Sequence, residues 1–191
     1  MAINAPEIYM SNRQDWHQWL LNNASDSKGI WLVYDKGANR VLSSADITEE
    51  ALCFGWIDSV PGRVSDTQSK IYVSPRKPQS AWSKLNKERV ARLTKSKLMK
   101  PAGLEAVRVA KLNGAWNKLN NSDNFELPQE LSDLLAANPK AKVFYDKMPP
   151  SSHRIILEWI YAAKTEETRL KRIGETVELA AKGIKANHYR Q

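Results

Sequence analysis

The run "SKIYVSPRKP" (69–78) divides the chain into two kinds of sequence. Before it, Ile71 and Val73 alternate with Tyr72 and Ser74, the period of two that half-buried strands show. Pro75 and Pro78 then deny the backbone donors a sheet needs and hold the link extended. After them every apolar pattern has helical spacing. This switch predicts an α+β chain, with a small antiparallel sheet and helices in its N-terminal part and an all-helical C-terminal region.

In the first part, "SNRQDWHQWLLNN" reads as a helix capped by Ser11, with Gln14 completing a capping box and Trp16, Trp19 and Leu20 on one face. "GIWLVYDKG" reads as a buried strand ended by glycine. "SADITEEALCFGW" reads as a second helix, with Asp46 and Glu49 at capping-box spacing and Ala51, Leu52 and Phe54 inward. Extended runs at 57–60 and 70–74 flank a turn-rich middle containing Pro61-Gly62, and antiparallel pairing with residues 30–34 is expected.

Beyond Pro78, a basic helix is expected over 86–97 with Val90 and Leu93 inward. Another runs from Pro101, a good first-turn residue, to Gly114 as its C-terminal cap, with Leu104, Val107 and Ala110 sharing a face. The polar stretch 117–127 marks a boundary between an α+β domain (1–120) and a helical region (126–191). Helices there are expected to open at Pro128 (Leu131, Leu134, Leu135), at Pro139 (Val143, Phe144), over 152–163 (Ile155, Ile156, Trp159, Ile160) and at Thr165 (Leu170, Ile173, Val177).

Charge is segregated. The net charge is +8, yet Lys70–Lys100 alone carries +9, with Glu88 its only acid, and the remainder sums to −1. Such a local positive potential attracts anions. Arg76 offers a planar fork of donors, and Lys77 and Lys84 add point charges. Ser80, Ser83 and Asn86 are placed to cap the helix that follows. Solvation alone accounts for Lys87, Lys95 and Lys97 on a helix face, but less readily for Arg76, Lys77 and Lys84 around a Pro- and Ser-rich link. Trp82 either stacks on a ligand or packs inward.

Other chemistry is thinly represented. The single cysteine, Cys53, excludes an internal disulfide and sits among apolar neighbours, as an inert thiol does. His17, His153 and His188 lack metal-ligand spacing, and no glycine-rich phosphate loop or nucleophile elbow occurs. No cofactor and no metal is therefore expected. The N-terminus lacks the pattern of a signal peptide and no apolar run reaches membrane-helix length, so a soluble cytoplasmic protein without membrane insertion is expected.

Five separated stretches occur in one order: "KGIWLVYDK", "EALCFGWIDSV", "SPRKPQSAWSKLNKERVARL", "MKPAGLEAVRVAKLNGAW" and "WIYAAKTEETRLKRIGETVELAAKG". Together they resemble the YdeI/OmdA family, described as bacteriocin-protection or OmpD-associated, over about residues 12–185. The resemblance implies an antiparallel α+β part followed by helices. It also implies signature positions at Gly55, Trp56, Ile57, Asp58 and Ser59, and at Pro75, Arg76, Lys77, Ser80, Trp82, Ser83, Asn86 and Arg89. The chain departs from the family pattern in the more neutral "SDTQSKIYVS". The family description implies stress tolerance or protection and no particular reaction.

Three functions follow in order. The first is a binding protein for an anionic small molecule. Arg76, Lys77 and Lys84 would hold the charge, Trp56 or Trp82 would form an apolar wall, and Asp58 would orient Arg76 or a ligand hydroxyl. The second is a nucleic-acid binder using Lys87, Arg89, Arg92 and Lys95. An enzyme comes last, because spacing places no second acid or base beside Asp58. Oligomeric state is not legible.

Overall fold

A computed structural model describes residues 3–187. They separate into two compact units within 1–117 and 118–191.

The first unit is built on a four-stranded sheet in the order β1 (Glu7–Tyr9), β2 (Ile30–Asp35), β4 (Gln68–Pro75), β3 (Trp56–Arg63). β2 and β4 pair antiparallel, as the alternation predicts, with Ile30 opposite Val73. The sheet is mixed, however, because β1 runs parallel to β2. Three residues are too short a run to announce themselves by period. The turn-rich middle is shorter than expected, because Pro61-Gly62 belongs to a strand. β3 runs through the pair, with a register shift between Asp58 and Pro61. An edge strand tolerates a proline there because its N–H side need not pair. The turn lies at 64–67, where Val64 and Ser65 N–H groups donate to the Gln68 carbonyl.

Four helices complete this unit: α1 (Arg13–Asn23), α2 (Ser44–Cys53), α3 (Lys84–Lys95) and α4 (Pro101–Leu112). The cap of α1 is Asn12, not Ser11, and accepts from the N–H of Gln14 at 2.8 Å and Asp15 at 3.0 Å. Ser11 is instead engaged by the Asp15 carboxylate. In α2 the capping box is Ser43 with Asp46, one turn earlier than expected, which leaves Glu49 for other partners. α3 starts at Lys84, with Ser83 as its cap.

The core of the unit buries Trp16, Trp56 and Trp82 almost completely, with Leu20, Leu32, Val73 and Leu93. Each large aromatic side chain removes on the order of 200 Å² from water, an upper-bound gain of about 5 kcal/mol. Gly103 lets α4 approach the end of α2, since a Cβ there would stand 2.3 Å from the Cys53 carbonyl oxygen.

The second unit consists of α5 (Asn120–Asp123), α6 (Gln129–Ala137), α7 (Pro139–Asp146), α8 (Pro150–Tyr161) and α9 (Glu166–Ala181). Leu131, Leu135, Tyr145, Ile156, Leu157, Ile160, Ile173 and Val177 form its core. Of the expected inward residues, Leu104 in the first unit and Leu134, Val143, Ile155 and Leu170 in the second are exposed. Each is adjacent to the buried stripe of its helix and lies just off it. Among the described residues no helix is long and apolar enough to cross a membrane. His188 lies outside the described residues.

Candidate functional site

β4 ends at Pro75, and the chain then runs as an irregular link to Ser83. Three hydrogen bonds shape it. The Arg76 N–H donates to the Gly55 carbonyl at 2.9 Å, the Ser80 N–H to the Lys77 carbonyl at 2.9 Å, and Nδ2 of Asn113, the C-terminal cap of α4, to the Pro78 carbonyl at 2.9 Å. The link is therefore fixed at once to the residue that leads into β3 and to the cap that ends α4.

This frame turns the Arg76 side chain inward. Its guanidinium carbon lies 3.7 Å from the centroid of the Trp82 ring, and Nη2 donates to the Ala81 carbonyl. Nε and Nη1 are buried with no hydrogen-bond partner among the described residues. Burial pushes the Arg76 pKa down to about 10, opposed only by the negative charge of Asp58. That influence acts at a distance, because no ion pair joins the two among the described residues.

Arg76 also lines a cavity of about 140 Å³, together with Lys77, Pro78 and Trp82 and with Glu105, Ala106 and Val109 of α4. The cavity far exceeds the roughly 10–15 Å³ one water requires. Glu105 faces it but is committed to Arg108 through two bonds of 2.7 Å, which hold its carboxyl below the usual carboxylate range. A larger, open groove of about 560 Å³ shares Lys77 and runs over Ile3, Lys28, Ile57, Ser59, Tyr72, Ser74, Pro75 and Ser80.

The remaining candidates are dispersed. Trp56 is a core residue, 2% exposed, donating to the Ala24 carbonyl at 3.3 Å, and it walls neither cavity. Trp82 does both jobs: it is 1% exposed, it packs on Trp116 at 5.1 Å, and it lines the small cavity. Lys84, Asn86 and Arg89 lie on α3 outside both linings, and Asn86 accepts from Arg89 at 3.1 Å. Elsewhere in the basic segment, Arg92 pairs with Glu49, Lys70 with Glu7, and Lys100 lies 6.0 Å over Phe54. The +9 segment thus contributes Arg76 and Lys77 to the small cavity and sends other cations to separate carboxylates and rings.

One constellation was not foreseen. His17 Nδ1 stands 2.7 Å from Glu50, whose other oxygen takes the Arg13 Nε–H at 2.7 Å, beside a cleft of about 530 Å³. Arg13 also reaches Asp46 at 3.1 Å and Glu49 at 3.4 Å. Arg13 and His17 are four apart on α1, so both face α2. That spacing, set against the pair Glu49-Glu50, was the available signal. Lys28 was missed because nothing local connects it to β4.

Comparison with known families divides the chain in the same order. The YdeI/OmdA model, Bacteriocin-protection, YdeI or OmpD-Associated, matches residues 124–183, the C-terminal part of the span over which the resemblance was read. Gly55–Ser59 and Pro75–Arg89 fall instead under a different model, Domain of unknown function (DUF8412), which matches residues 8–106. No curated protein and no solved structure matches the chain. Over more than half its length the chain belongs to the family described as Domain of unknown function (DUF8412), and its C-terminal part matches the bacteriocin-protection, YdeI or OmpD-associated family.

Proposed function

We propose that this is a cytoplasmic, protection-related binding protein that holds a small anionic ligand against Arg76 and Lys77. The observation that carries the reading is that Arg76, with two buried and unpartnered guanidinium nitrogens, also lines a cavity with room for a ligand. Each unsatisfied buried donor costs about 1–3 kcal/mol, and more on a charged group. Water would satisfy the hydrogen bonds but leave the charge uncompensated. An oxyanion does both, through charge-assisted bonds. Trp82 supports this by fixing the guanidinium plane, and Lys77 by adding a second cation.

Protection on this reading is indirect. A chain of net charge +8 is a poor trap for cationic peptides, because like charges repel. The ligand is the effector.

Calorimetric titration of the full chain with inorganic phosphate and with acetate tests the proposal. Wild type is expected to bind at least one of them, and Arg76→Gln to bind it at least tenfold more weakly with an unchanged circular dichroism spectrum. Absence of binding to either anion, or equal binding by Arg76→Gln, would overturn it.

A further inference from the structure

The groove next to the Arg76 cavity has a lining of its own kind. Lys28 and Lys77 supply two cations, and Ser59, Tyr72, Ser74 and Ser80 supply four hydroxyls; no carboxylate is among the lining residues. The strands bring these groups together by pairing. Ile57 of β3 lies opposite Ser74 of β4, so Ile57, Ser59, Tyr72 and Ser74 share one face of the sheet. The Tyr72 hydroxyl owes its position to Gly29, where a Cβ would stand 2.4 Å from it. Gly29 has φ +138, a conformation that side chains rarely adopt, so the residue that admits the phenol is also the one its backbone requires.

The Ser59 hydroxyl donates to the Tyr72 carbonyl at 3.3 Å and is left to accept. A hydroxyl in general both donates and accepts, so this set with two cations recognises a ligand that does the same and carries negative charge. Ile57 and Pro75 supply apolar patches suited to the C–H face of a sugar ring. An aromatic base would need an open ring to stack on. The Trp82 ring has Arg76 at 3.7 Å and Trp116 at 5.1 Å, and Tyr72 packs on Trp31 at 5.6 Å. An alkyl chain would leave the hydroxyls without partners. Lys77 lines both the groove and the Arg76 cavity, which makes the two neighbouring parts of one surface.

We infer that the ligand is a polyhydroxylated anion, a sugar phosphate or a sugar acid, whose charged group meets Arg76 while its hydroxylated body lies in the groove between Lys28 and Lys77. This rests on the reading of the Arg76 cavity as an anion site.

The experiment titrates the full chain with inorganic phosphate, acetate, glucose 6-phosphate, gluconate and glucose, and repeats it with the Ser74→Ala/Ser80→Ala variant. Either glucose 6-phosphate or gluconate is expected to bind at least tenfold tighter than the corresponding simple anion, phosphate or acetate. Which of the two gains tells a phosphate head from a carboxylate head. The double variant is expected to lose that gain and keep the simple-anion affinity. If the simple anion binds but neither sugar anion is tighter, the inference falls and the anion site stands. If no anion binds, both fall. A gain that survives the double variant, or glucose binding as tightly as its phosphate, also overturns the inference.

Discussion

Replacing Arg76 by methionine separates a ligand site from a structural arginine, and the structure sets the expected magnitude. Burial pushes the guanidinium pKa down to about 10, some two to three pH units below an ordinary arginine. At about 1.4 kcal/mol per unit this is on the order of 3 kcal/mol. Partial solvent access reduces it to roughly 2 kcal/mol. Against that cost stand a charged hydrogen bond to the Ala81 carbonyl, about 1.5–3 kcal/mol, and the stack on Trp82, about 0.5–2 kcal/mol. Methionine keeps the apolar stem and recovers about 0.3–1.5 kcal/mol of sulfur–aromatic contact. The opposing quantities nearly cancel, so Arg76→Met is expected to lie within about 1–2 kcal/mol of wild type.

Urea denaturation followed by tryptophan fluorescence is the assay. Six of the seven tryptophans lie in the first unit, so the signal reports on it. Burial of a charged base is a cost present at every pH below about 10 and relieved only as pH rises through that value. The difference between variant and wild type should therefore be flat from pH 6 to 9. An anion at about 100 times its Kd adds about 2.7 kcal/mol to wild type and nothing to the variant. A loss above about 4 kcal/mol without ligand would make Arg76 a structural residue, and an equal anion-induced gain in both proteins would place the anion elsewhere.

Other consequences are open to direct measurement. Gly103→Ala forces a Cβ against the Cys53 and Leu52 carbonyl oxygens, at 2.3 and 2.7 Å, and should lower the stability of the first unit by at least about 3 kcal/mol in the same denaturation experiment. Arg13→Met leaves the buried Glu50 carboxylate without its guanidinium partner and should cost roughly 3 kcal/mol at pH 7, with partial rescue by Glu50→Gln in a double-mutant cycle. In the second unit, the Arg169 hydrogen bonds hold the Glu130 carboxyl down to about 2. Its contribution is present above about pH 4.3 and is lost as pH falls through about 2, so Glu130→Gln should flatten the acid limb of thermal unfolding between those values.

The parts of this molecule legible in its sequence are those fixed by local period and by proline. The pairing of β2 with β4 and the helix opened by Pro101 were readable because alternation and a fixed φ act within a few residues. β1 and the path of β3 through Pro61-Gly62 were not, since each depends on which edge of the sheet the strand occupies. Caps slipped by a residue or a turn where two side chains competed: Ser11 with Asn12, and Asp46 with Ser43. Arg76 stands out in the sequence by charge and by the link it sits on. Its stack on Trp82 and the place of Lys28 in the groove arise from tertiary contact and leave no trace in spacing, whereas the pairing of His17 with Glu50 left only the four-residue spacing of Arg13 and His17. Charge density located the segment but misjudged its geometry, because cations on a helix radiate to several sides, here to Glu49, Asn86 and Trp116.

Tyr145 supplies the control for the reasoning at Arg76. Its hydroxyl is also buried without a hydrogen-bond partner among the described residues, and burial pushes its pKa up to about 12. The ring is stacked on His153 at 4.6 Å, so the side chain is held by packing with or without the oxygen. A phenol stays neutral and its unmet bond is a modest cost; a guanidinium keeps its charge, and its unmet bonds call for a counter-charge. Tyr145→Phe should therefore stabilise the second unit by about 1 kcal/mol and leave anion binding unchanged. If thermal unfolding instead shows a loss of more than about 1 kcal/mol, the hydroxyl has a partner in solution. The same would then have to be asked of the Arg76 N–H groups, and the case for a ligand there would rest on the cavity alone.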